Sequence, residues 1–205
     1  MKTIIKLILI CFLSTNALAQ ERLNLKQFGF SLEEPKNWHK SGEQLFLENA
    51  KKYDWNDGQW QKIKQSHKGS VNVVAYHKYK ADAYNGIIPT INLTISNNVT
   101  KTPEQFKQLI VSSHAQYKAM LDNFKLTSPL RDITIDGRKA LICTSNYTIN
   151  SPNGPVKLAL KNLYIAKGST YYVLNFIEED GKEDNSAVFD KLIKTVKLTD
   201  VDLKK

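Results

Sequence analysis

Few of the side chains that could do chemistry in this 205-residue chain stand at the spacings chemistry needs. The four histidines, His39, His67, His77 and His114, are scattered without metal-ligand spacing. Asp54-Trp55-Asn56-Asp57-Gly58 gathers oxygen ligands, but the EF-hand order fails and no closing glutamate sits at the required distance. The sequence holds no G-x-S-x-G, H-E-x-x-H or C-x-x-C, no phosphate-binding P-loop and no G-x-G-x-x-G. Cys143 alternates with Leu141, Tyr147 and Ile149 on one face of an expected strand, the setting of a buried, inert thiol. His114 sits at the edge of an apolar helical stripe, as a packed residue rather than a ligand. The expectation is a chain with no catalytic residues, no metal and no cofactor.

The best binding candidate is an aromatic-polar stretch between Asn49 and Ser70. Tyr53, Trp55, Asp57 and Trp60 stand there among Asp54, Asn56 and several lysines, with Gly58 in the middle. Flat aromatic faces beside polar groups stack on sugars or anchor protein interfaces. The competing reading is that Trp55 and Trp60 fold back to cap one end of the domain. The stretch has neither clean alternation nor a helical stripe, and reads as a long connection with one helical turn around Gln59–Lys64.

The first 19 residues read as an export signal. Met1–Lys6 is basic, Leu7–Leu13 is apolar, and Ala17-Leu18-Ala19 is a small-x-small cleavage site before Gln20. Cys11 follows Ile10, where a lipidation site wants a small residue. The apolar run is shorter than the roughly 20 residues of a membrane span. The domain expected is residues 20–205, periplasmic or secreted, with no transmembrane segment. With Cys11 removed, Cys143 has no partner for an intrachain disulfide, so the core itself must stabilise the fold. Two of the 29 basic residues, Lys2 and Lys6, lie in the leader, which leaves about +7 against 20 acidic residues. The lysines are spread along the chain without a block. That pattern argues for a soluble surface, and export argues against nucleic acid. Asn92, Asn98 and Asn146 head formal glycosylation acceptors, relevant only in a eukaryote.

The positioning elements follow from periodicity. Phe28-Gly-Phe30-Ser-Leu32 alternates as a half-buried strand, Glu34–Asn37 turns the chain, and Gln44–Glu48 reads as its return strand. Val71–Tyr76 and Ile87–Ser96 are further strands, the second carrying Pro89 near its start. Thr102-Pro103-Glu104-Gln105 opens a long helix, Pro103–Phe124, with an apolar stripe from Phe106 through Ile110, Tyr117 and Met120. Asp136-Gly137 is a hairpin turn. Three strands follow, at Ala140–Asn150, Val156–Ala166 and Thr170–Glu178, and then an amphipathic helix, Ser186–Val196. Tyr171–Ile177 is apolar on both faces, as in a strand covered on both sides. The fold class expected is α+β: an antiparallel sheet of about six or seven strands flanked by helices.

The order of these features resembles the PsbP-like superfamily of α/β/α sandwiches. The resemblance rests on Phe28, Phe30, Leu32, Pro35 and Trp38, on Ile135-Asp136-Gly137-Arg138-Lys139-Ala140, on Tyr171-Tyr172-Val173-Leu174, and on Phe189 and Ile193. It covers roughly Phe28 to Leu198 and consists of core and turn positions. It implies a binding or assembly factor rather than an enzyme, and carries over no functional residue. The superfamily includes the extrinsic subunit of the photosynthetic oxygen-evolving complex, a nuclear Ran-binding factor and exported bacterial proteins. The function expected is therefore an exported, non-catalytic binding or accessory protein of the cell envelope, with a protein partner there. Two alternatives stand beside it: a binder of anionic lipid or glycan through a basic surface, and a hydrolase whose site is assembled from distant residues.

Overall fold

Asp136 and Gly137 both adopt left-handed backbone, φ 47° and 77°, which matches the twist of a tight hairpin. That turn joins β6 (Asp122–Ile135) to β7 (Arg138–Ser151), and two more hairpins add β8 (Gly154–Lys167) and β9 (Thr170–Glu179). The structure is a computed structural model and describes residues 21–41, 69–151 and 154–200. Its remaining elements are β1 (Arg22–Leu25), β2 (Phe30–Glu33), β3 (His39–Ser41), β4 (Ser70–His77), β5 (Thr90–Asn97), α1 (Pro103–Met120), α2 (Ser186–Thr195) and β10 (Lys197–Leu198). Seven strands pair antiparallel in the order β3-β4-β5-β9-β8-β7-β6, and β1-β2-β10 make a separate three-stranded sheet.

The large sheet is covered unequally. One face packs against α2 and the small sheet around Phe30, Leu93, Leu163, Leu174, Phe176 and Phe189. The Phe30 ring lies 4.8 Å from Tyr172, whose hydroxyl donates to the Phe28 carbonyl and so ties the small sheet to the large one. The opposite face packs against α1 through a far smaller cluster, Phe106, Ile110, Leu141, Cys143 and Tyr164.

The α+β expectation holds, and so does the antiparallel sheet. Three details differ, and one expected strand is not among the described residues. Residues 22–25, ahead of the first strand expected from the sequence, form β1 and pair with β2 through the turn at Lys26–Gly29. The expected return strand at Gln44–Glu48 lies outside the described residues. The long helix stops at Met120, and Phe124 belongs to β6. Pro129 therefore sits inside a strand, which an edge position and the broken register between Ser128 and Arg131 allow. β5 begins at Thr90, just past Pro89, and is an interior strand between β4 and β9.

Candidate functional site

The alternation of β7, β8 and β9 sends every second side chain towards α1. Antiparallel register then lines up Cys143, Asn162, Asn175 and Asn92 across the sheet, with Leu141, Tyr164, Val173 and Thr94 in a neighbouring row. The apolar stripe of α1 is buried at Phe106 and Ile110, together with His114, but Tyr117 is 43% exposed and Met120 78%. The helix thus seals one end of this face. Its other end borders a cleft of about 370 Å³ between α1, the start of β6 and the sheet.

The floor of the cleft is Ser145, Asn162 and Asn175, with Thr94, Ser96 and Ser70 to one side. Tyr117, Phe124, Tyr147, Tyr164 and Tyr171 surround it. None of its lining side chains among the described residues is charged. Ser145 and Asn162 are 2% and 5% exposed, and the Ser145 hydroxyl and the Asn162 carbonyl oxygen have no hydrogen-bond partner. An unpaired buried polar atom costs about 1–3 kcal/mol, so two on residues that line one cavity mark where a ligand or ordered water would bond. Ser96 is satisfied by Ser70 at 2.9 Å, and Ser113 donates to the Leu109 carbonyl at 3.0 Å.

Behind Asn162 lies the one grouping on this face that resembles reactive chemistry. His114 Nε2 is 3.7 Å from Cys143 Sγ and 3.3 Å from the Tyr164 hydroxyl. Burial pushes the thiol up to about 11, a hydrogen bond from Asn162 offsetting it only in part. Burial also lowers His114 below its ordinary value and raises Tyr164. Every shift favours the neutral form, the reverse of the thiolate–imidazolium pair that cysteine nucleophiles use. The trio packs as neutral groups. His114 and Cys143 are buried, as the sequence suggested.

A larger cavity of about 650 Å³ opens at the start of α1, beside Lys101, Asp132, Arg138 and Lys139. Its polar groups are largely engaged. Asn98 accepts from Thr100 N and Oγ1 and donates to the Gly168 carbonyl at 2.9 Å; Lys107 pairs with Asp132 and Arg138 with Asp200, both at 2.5 Å. Seven lysines pair with carboxylates across the described surface, from Lys40–Glu34 to Lys197–Asp136, which breaks up the positive charge. No helix among the described residues is long and apolar enough to cross a membrane, and no group of three or more metal-ligating side chains occurs among them.

The binding candidates chosen from sequence, Tyr53, Trp55, Asp57 and Trp60, lie outside the described residues. Of the cleft, sequence reasoning singled out the α1 stripe and Tyr147, and of the group behind it Cys143 and His114, but it missed Ser145, Asn162 and Asn175. The available signal was their place on the same strand faces as Cys143 and Val173: polar residues where a fully covered sheet would be apolar.

No family model matches the sequence, and neither does any curated protein. Among solved structures, cyanobacterial PsbP from Synechocystis superposes with a TM-score of 0.54 at 9% identity, over 87% of this chain and 92% of that one. The fold is PsbP-like. Two further similar structures are LpqN, described as involved in cell envelope biogenesis of Mycobacterium tuberculosis (TM-score 0.45, 12% identity, 89% and 86% covered), and a putative regulator from Pseudomonas aeruginosa (0.43, 15%, 54% and 74%). At these identities the PsbP-like likeness speaks to architecture alone.

Proposed function

We propose that this chain is an exported, non-catalytic binding or accessory protein of the cell envelope, and that the cleft between α1 and the sheet is its binding site. The observation that carries the binding reading is the pair of unpartnered buried atoms, Ser145 Oγ and Asn162 Oδ1, on two residues that line one cavity. A fold under no demand to bind would fill such a face with apolar side chains, as its opposite face does. Neutral Cys143 and His114, with no carboxylate lining the cleft among the described residues, support a site that holds rather than transforms. Export rests on the leader sequence Met1–Ala19.

The test is a thermal-unfolding titration of the mature chain with fractions of its own envelope extract. A ligand at 100 times its Kd stabilises by about 2.7 kcal/mol. One fraction should raise the midpoint, Tyr117→Ala should abolish that rise, and mass spectrometry should recover the ligand unchanged. A ligand recovered cleaved or modified refutes the non-catalytic reading. Absence of stabilisation by every fraction refutes the cleft as a binding site. Sequencing the protein from the cell should find Gln20 at its amino terminus; an intact leader refutes cleavage after Ala19.

A further inference from the structure

The chemistry of the cleft narrows what it can take. About a quarter of the whole chain is charged, 24% of residues, yet among the described residues no charged side chain lines this cavity. A ligand bearing a carboxylate, phosphate or ammonium would be desolvated there without a counter-charge, at a cost that excludes tight binding. A purely apolar ligand such as an acyl chain fits no better. It would leave Ser145 Oγ and Asn162 Oδ1 buried against hydrocarbon and still unpaired.

What remains is an uncharged ligand with hydroxyl or amide groups along its edge and an apolar face. Asn162 stands opposite Asn175 in the β8–β9 register and Ser145 opposite Leu160 in the β7–β8 register, so polar and apolar floor positions alternate within one cleft. The Asn162 carbonyl oxygen requires a donor, and Ser145 Oγ can give or accept. The rings of Tyr117 and Phe124, 6.0 Å apart, stand at the wall together with Tyr147, where the C–H face of a pyranose can lie. The volume, about 370 Å³, is at the small end of the roughly 300–1,000 Å³ of small-molecule sites and suits a mono- or disaccharide.

We propose that the cleft between α1 and the sheet is a subsite for an uncharged saccharide, its hydroxyl or amide edge on Ser145 and Asn162 and its apolar face on the tyrosine wall. This rests on the reading of the cleft as a binding site. A saccharide is the source named because a neutral ring with several equatorial donors and acceptors meets both demands at once.

The experiment titrates the mature chain with two neutral disaccharides, cellobiose and di-N-acetylchitobiose, beside cellobiuronic acid, which carries one carboxylate, and decanoic acid. Binding is read by calorimetry and by amide chemical shifts. At least one neutral disaccharide should bind saturably and at least tenfold more tightly than the acid and the acyl chain. Asn162→Leu and Tyr117→Ala should each weaken that binding about tenfold or more. Tyr117 is half-exposed, so its variant keeps the fold if Asn162→Leu does not, and Ser145→Ala gives a second floor variant. Preference for the acid or for decanoate overturns the proposal. So does disaccharide binding untouched by the wall and floor variants, or no disaccharide binding up to millimolar concentration. An extract fraction that stabilises through the cleft while neither disaccharide binds overturns the saccharide assignment alone. A disaccharide bound and then cleaved overturns the non-catalytic reading and leaves the assignment standing.

Discussion

Under the proposed reading, Ser145 concentrates the conflict between holding a ligand and holding the fold. Its hydroxyl is buried and unpartnered, so the free protein carries the desolvation cost of that group with nothing in return. Ser145→Ala removes the cost and leaves only a hydroxyl-sized gap at the edge of an existing cavity. The variant should be more stable by about 1 kcal/mol, a rise of about 2–4 °C in midpoint for a domain of this size. A lower midpoint in thermal unfolding would mean that the hydroxyl bonds to ordered water in the free protein. His114 makes the matching statement about pH. Its native value lies below the ordinary 6.5 because burial disfavours the charged imidazolium. The unfolded chain therefore binds the proton first, and stability present above about 6.5 is lost as pH falls through the lower native value. His77 is lowered too, by burial and by His39, and contributes in the same sense. Unfolding free energy measured from pH 7.5 to 5 should fall with decreasing pH, and His114→Gln should flatten part of the slope. An identical slope in the variant would show that His114 contributes nothing to it. At this scale the sequence disclosed Cys143 as buried and His114 as packed, because apolar neighbours announce burial. It did not disclose Asn162, because an asparagine in a strand looks the same whether it faces solvent or a cavity.

At the scale of elements, local chemistry was read well wherever it was self-sufficient. Thr102 accepts from Gln105 N at 3.2 Å, as its N-cap position suggested, although the Gln105 side chain reaches back to Lys101 N rather than to Thr102. Removing that bond by Thr102→Ala should cost about 1 kcal/mol in thermal or denaturant unfolding. A change below about 0.3 kcal/mol would show that Pro103 and the packing of Phe106 set the helix start without the cap. The three long hairpin strands were legible to within two residues for a related reason. Asp136-Gly137 and the Lys167–Thr170 turn, with Gly168 at φ 56°, are fixed by residues within the turns themselves. The end of α1 was not legible. Leu121 and Phe124 continue the helical spacing of Tyr117, but Asn123 takes a left-handed φ of 56° and the chain swings into β6, whose pairing with β7 begins at Asp122–Thr148. Tertiary pairing overrode periodicity there. That override matters for the site: a helix running on to Phe124 would have covered the cleft, and one stopping at Met120 leaves it open.

Over the whole molecule the sheet has one heavily packed face and one lightly packed face, and the proposed binding site lies on the second. The α2 side buries the large cluster that includes Phe30, Leu163, Leu174 and Phe189, whereas the hydrophobic cluster of the α1 side is Phe106, Ile110, Leu141, Cys143 and Tyr164. Phe189 is wholly buried, packs its ring 5.6 Å from Phe176 and carries Lys161 over its other aspect at 5.7 Å. Phe189→Ala should cost about 3–5 kcal/mol, a substantial part of the stability of a typical domain. Local opening follows the apolar contacts that oppose it, so α1 should open without the rest of the fold while α2 opens only with global unfolding. The carboxyl-terminal half of α1 is the extreme case, since Tyr117 and Met120 leave the core there. Native-state hydrogen exchange checks this. Amides of Tyr117–Met120 should exchange at free energies well below those of Leu192 and Ile193, and Phe189→Ala should lower the second set by its full cost while leaving the first nearly unchanged. A ligand in the cleft bridges α1 to the sheet, so a saturating one should raise the protection of the α1 amides selectively. Equal protection of both helices in the free protein would contradict the division. It would mean that the few contacts of the α1 cluster couple that helix to the global core as firmly as the many contacts around Phe189 couple α2.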